Sequence, residues 1–133
     1  MENIHVLIPS VTNKPIVSEI IRTFGGEAKI KVYHLTDIVV NNYASEALIS
    51  DLKNQIESAI DKWYDNSYKD DDHVYVVLTG GILQSVIAIT HLDKLDIDYK
   101  FLVYERKVKK YVCLTRNADI DTDFLMEYIY NKQ

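Results

Sequence analysis

Between His73 and Ala88 the chain reads HVYVVLTGGILQSVIA, and this stretch limits the possible folds more than any other. Val74 to Leu78 is a short apolar run rich in β-branched residues, as in a strand buried on both faces. It stops at Thr79-Gly80-Gly81 and restarts with helical character at Ile82. A strand that feeds a helix through a tight turn is the unit from which parallel sheets are built. The two glycines allow positive φ and close backbone approach, and the first N–H groups of the helix then face whatever docks there. The turn is therefore a candidate anion site, with plain loop geometry as the alternative.

The rest of the chain supplies the partners such a unit needs. Residues 3–9 (NIHVLIP) read as a buried strand, and Pro15 opens a helix carrying Ile16, Val17, Ile20, Ile21 and Phe24 at helical spacing. Gly25-Gly26 ends it. Lys29 to Leu35 (KIKVYHL) alternates polar with apolar residues, which predicts a strand near a sheet edge. From Ala44 to Tyr64 the positions Ala47, Leu48, Leu52, Ile56, Ala59, Ile60 and Trp63 recur at intervals of three and four, giving a long amphipathic helix. Asp65 to Asp72 reads as a solvated loop. Ile82 to Leu92 forms a helix that is apolar on nearly every side, with some of that surface free to meet a second subunit. Tyr99–Tyr104 and Lys110–Leu114 form two strands joined by a short connector, and a final helix starts at Asp121.

Alternating strands and helices predict an α/β fold: one open, mainly parallel sheet with helices on both faces and a late antiparallel hairpin. At 133 residues and 47% hydrophobic content, the chain matches a single domain. The single cysteine, Cys113, excludes a disulfide framework and a cysteine metal site, and reads as a small buried side chain. The opening residues lack the pattern of a secretion signal, and no apolar run reaches the roughly 20 residues that span a bilayer. A cytoplasmic protein without membrane contact is expected. With 15 basic and 20 acidic residues the net charge is −5, which argues against a duplex-binding surface, since such binding neutralises many phosphates. A small anionic ligand needs only a few local cations.

In open parallel sheets ligands bind beyond the carboxyl ends of the strands. The polar groups expected there are Ser10, Thr12, Asn13 and Lys14 after the first strand, and His34, Thr36 and Asp37 after the second. Thr79, Gly80, Gly81, Gln84 and Ser85 follow the third, and Glu105, Arg106 and Lys107 the fourth. Hydroxyls, amides, helix N-termini and a few cations are what a phosphodiester requires.

HVLIPSVTNKP near the start, VVLTGGILQSVIAI in the middle and the following FLVYER together resemble the CARF domains of CRISPR-linked proteins, which sense cyclic oligoadenylates. The likeness spans most of the chain and rests on short motifs. It implies a Rossmann-like domain over residues 1–133 and a homodimer that holds the cyclic ligand on its twofold axis. The two ligand-binding motifs then fall on Ser10–Lys14 and Thr79–Ser85. The family usually carries a fused nuclease or DNA-binding effector, and this sequence departs from that pattern. A stand-alone member is similar to ring nucleases, which cut the signal and switch off type III CRISPR defence.

Cleavage has a route that needs neither metal nor cofactor. A ribose 2′-hydroxyl attacks the neighbouring phosphorus when held in line, leaving a 2′,3′-cyclic phosphate end. Lys14, Arg106 or Lys107, with N–H groups around Gly80-Gly81, would stabilise the added charge. His34 is the candidate general base by position.

Each residue also has a plainer reading. Ser10, Thr12 and Asn13 suit a capping turn before Pro15, and Gln84 and Ser85 suit a first helical turn. Arg106 to Lys110 fits a soluble hairpin tip or lysine edge protection. Asp70-Asp71-Asp72 lacks the ligand spacing of a calcium site and reads as solvated. His5 and His91 read as structural residues, and Trp63 and most tyrosines as core. The alternatives to a ring nuclease are a binding-only sensor, an unrelated nucleotide or sugar-phosphate module, and a structural subunit using the 82–92 helix.

Overall fold

Strand β1 (Asn3–Ile8) lies inside a five-stranded sheet of order β2-β1-β3-β4-β5, with β2 at Lys29–His34, β3 at His73–Val77, β4 at Lys100–Glu105 and β5 at Lys110–Thr115. The computed structural model describes residues 3–11, 18, 20, 22, 29–40, 45–78, 82–105, 107 and 109–115. Strands β2, β1, β3 and β4 are mutually parallel, and β5 runs antiparallel to β4. Helix α1 (Glu46–Asn66) connects β2 to β3, and α2 (Ile82–Lys94) connects β3 to β4. The α/β class expected from the alternation of elements is thus the one observed.

Alternation along the strands sorts their side chains into two cores. Leu7, Val74, Val76, Phe101 and Val103 point to one face, where Leu52, Ile56, Ile60 and Trp63 of α1 and Ala88 and Leu92 of α2 cover them. Val6, Ile8, Val77 and Leu102 point to the other face and pack with Ile20 and Tyr111. Ser18, Ile20 and Arg22, the described residues of the helix expected after Pro15, are helical. Burial of Ile20 on this second face accounts for apolar residues on both sides of the central strands. The helix expected from Asp121 lies outside the described residues.

Two expectations change. Cys113 is exposed, because it sits on β5, the outermost strand of the sheet. The loop before β3 is not uniformly solvated: the Asp72 side chain is 4% exposed. It is drawn inward by His5, a fully buried imidazole on β1 that has to be satisfied. The Trp63 indole N–H donates to His5 Nδ1 at 3.0 Å, and His5 Nε2 donates to Asp72 Oδ2 at 2.7 Å. Because an indole can only donate, its bond assigns the imidazole proton to Nε2. The Asp72 carboxylate also accepts from the backbone N–H groups of Asn3 and Lys69, each at 3.1 Å. Tyr33 stacks on the His5 ring, and Trp63 meets its edge. This network ties the amino ends of β1 and β3 to the last turn of α1.

Burial acts to raise the Asp72 pKa, but the hydrogen bonds from His5, Asn3 and Lys69 outweigh it and hold the carboxyl below its ordinary value. Its contribution to stability is complete above the unfolded-state value of about 4 and is lost as pH falls through the lower folded value. Asp72→Asn should therefore flatten the acid limb of stability against pH, read by urea unfolding at stepped pH. Trp63→Phe strands His5 Nδ1 without a donor in a dry site and should lower unfolding free energy by about 2–3 kcal/mol at neutral pH, from the unpaired acceptor plus lost packing.

Candidate functional site at the carboxyl edge of the sheet

Four parallel strands place all their carboxyl ends on one edge of the sheet. β2 and β3 flank β1 on opposite sides, so the strand order reverses between the carboxyl ends of β1 and β3. This is the topological switch point, where ligands of open α/β sheets bind. Ser10 follows β1 into this edge and is buried. Gln84 and Ser85, buried polar residues in the first turn of α2, approach it from the β3 side. Lys107 is exposed in the connection after β4. Thr12, Asn13, Lys14, Thr79, Gly80, Gly81 and Arg106 lie outside the described residues, yet the ends they follow are those of β1, β3 and β4. The expected ligand-binding residues that are described therefore share one edge.

His34 closes β2 and pairs in register with Ile8. By alternation it shares the side of Ile30 and Val32, the face opposite α1 and α2, and it is exposed. Two strand spacings, roughly 10 Å, separate the line of β2 from that of β3. An imidazole there reaches only a ligand that extends across β1.

The loop after β2 is ordered by a network that sequence patterns do not reveal. Leu35 N–H extends the sheet by donating to Ile8 O at 3.0 Å. The Thr36 hydroxyl donates to Gln55 Oε1 and accepts from Ile38 N–H at 3.0 Å. Gln55 Oε1 also accepts from Asp37 N–H at 3.3 Å, and Gln55 Nε2 donates to Asp37 Oδ1 at 2.9 Å. One side-chain amide of α1 thus holds both the backbone and the carboxylate of Asp37. Gln55 follows Glu46, the first residue of α1, by nine positions, so the helix start rises roughly 14 Å beyond this clamp at 1.5 Å per residue. Ser45 caps it, its hydroxyl accepting from Leu48 N–H at 3.1 Å.

The opposite edge has a different chemistry. A cleft of about 370 Å³ opens at the amino ends of β3 and β4, lined by Tyr68, Asp70, Asp71, Asp98, Tyr99 and Lys100 among others. Burial and the nearby Asp70, Tyr64, Asp72 and Asp98 raise the Tyr68 pKa. Carboxylates gathered this way repel a phosphodiester.

Among the described residues no cluster of three or more His, Cys, Asp or Glu side chains is arranged to hold a metal ion, and no helix is long and apolar enough to cross a membrane. No protein-family model matches the sequence, and no curated protein aligns with it significantly. The fold is an open, Rossmann-like α/β sheet, and no family is assigned.

Thr36→Val removes a hydroxyl that serves both Gln55 and Ile38. It should cost about 1–2 kcal/mol in urea unfolding and accelerate amide hydrogen exchange at Asp37 and Ile38 relative to β1.

Proposed function

We propose that the chain binds a cyclic oligoadenylate, tetra- or hexa-adenylate, at the carboxyl edge of its sheet as a homodimer, in the manner of the CARF domains it resembles. The observation that carries this reading is the strand order. It sets the carboxyl ends of β1 and β3, which the two resembling motifs follow in sequence, side by side at a topological switch point. The distribution of exposed apolar side chains supports a second copy. Val11, Val39, Ile49 and Val86, four of the five large apolar residues exposed among those described, lie after β1, after β2, and on the first turns of α1 and α2. All four belong to the carboxyl end, where the partner would close over a ligand on the twofold axis.

In the cleaving form, the ribose 2′-oxygen attacks the adjacent phosphorus, the bond from phosphorus to the 5′-oxygen breaks, and that oxygen leaves with a proton as a 5′-hydroxyl. The product is linear with a 2′,3′-cyclic phosphate. Lys14, Arg106 and Lys107 are the cations proposed to stabilise the phosphorane. This activity would switch off a CRISPR-type signal in the cytoplasm. The placement of His34, exposed and on the opposite face from α1 and α2, favours a second reading in which the protein binds the ring without opening it.

Labelled cyclic tetra- and hexa-adenylate incubated with the purified protein and EDTA distinguish the two. Linear product with a cyclic phosphate end is expected for the nuclease, and retention of intact ring for the sensor. Absence of binding to either ring, or a strict monomer by size-exclusion mass in the presence of ligand, would overturn the proposal.

A further inference from the structure

We infer that Asp37 is a specificity residue that recognises ribose by accepting a hydrogen bond from a sugar 2′-hydroxyl of the bound nucleotide, with Gln55 as its positioning residue. The inference deepens the reading above and rests on it for the ring, though not for ribonucleotide binding in general. Asp37 lies three residues past the end of β2, beside the strand at the switch point. In doubly wound sheets the end of the strand next to the phosphate-binding strand lies a sugar's length from the phosphate, and an acidic residue there meets ribose hydroxyls. A carboxylate suits that place and no nearer one, because it accepts from hydroxyls but repels phosphate oxygens.

The clamp gives the carboxylate a fixed direction. Asp37 is exposed, and an exposed aspartate left to itself samples several rotamers. Here Gln55 Nε2 holds Oδ1 at 2.9 Å, while Gln55 Oε1 binds the Asp37 backbone N–H at 3.3 Å and the Thr36 hydroxyl. The amide thus fixes Thr36 and Asp37 together at the carboxyl edge. A carboxylate accepts about four hydrogen bonds, so the one from Gln55 leaves capacity for a sugar hydroxyl. Preorganisation of this kind lowers the ordering cost of binding.

The test compares affinities for cyclic tetra-adenylate and its all-2′-deoxy counterpart, and for AMP and 2′-deoxy-AMP, a pair that ring-opening does not consume. Wild-type protein should prefer the ribose form of at least one pair by about tenfold or more, the worth of one hydrogen bond to a charged group. Asp37→Ala should bring that ratio near one, Asp37→Asn should keep part of it, and Gln55→Ala should lower it while Asp37 remains. A loop that is merely loosened would weaken ribose and deoxyribose forms alike. An unchanged ratio in Asp37→Ala, or no preference in the wild type, overturns the inference while leaving ring binding intact. Failure to bind either ring, with AMP preferred over deoxy-AMP only when Asp37 is present, overturns the ring reading and supports the inference. Failure to bind any of the four overturns both.

Discussion

β1 has no solvent-facing side, and the rest of the structure follows from that. From His5 to Ile8 its side chains are fully buried, with β2 and β3 on its two edges. Its apolar residues need cover on each face, which the α1–α2 pair supplies on one and Ile20 and Tyr111 supply on the other. Its one imidazole needs a partner, which brings in Asp72 and fixes the loop before β3. Sitting between a parallel neighbour on each edge, β1 also fixes where the strand order reverses. The switch point and the hydrophobic core are therefore consequences of the same strand.

Regular elements were legible because their periodicity reflects burial directly. Val74 and Val76 face one core and Val77 the other, so a continuous apolar run correctly marked a strand covered twice. Leu52, Ile56, Ile60 and Trp63 are the buried stripe of α1. Ala47 and Leu48 continue the same spacing but are exposed and half-buried, whereas the stripe from Leu52 onward packs on the sheet. Periodicity reports which face of a helix is apolar, not how far the sheet extends beneath it.

The polar networks were hidden for a different reason. Asp72 ends a run of three aspartates, and such a run looks solvated unless its partner is known. That partner lies 67 residues away. The available signal was His5 itself, a titratable ring in an otherwise apolar strand, which demands a hydrogen-bond partner somewhere in the chain. Thr36, Asp37 and Gln55 offered less, since an amide on the flank of an amphipathic helix is ordinary surface chemistry. Their network depends on the level at which α1 passes the end of β2, which emerges only with the third dimension. For the candidate site, the strand ends indicated one edge of the sheet, while the direction each side chain takes required the fold.

Trp63, the sole tryptophan, is 3% exposed, with His5, Tyr33 and Tyr68 around its indole. It belongs to the amino end of the sheet, away from the carboxyl edge, and its emission is an optical reporter of the core alone. A nucleotide seated at the switch point leaves that fluorophore's surroundings intact, whereas unfolding moves it from a dry aromatic pocket into water. Intrinsic fluorescence can therefore follow the integrity of the fold through a ligand titration without an added dye, separating a variant that has lost its site from one that has lost its structure.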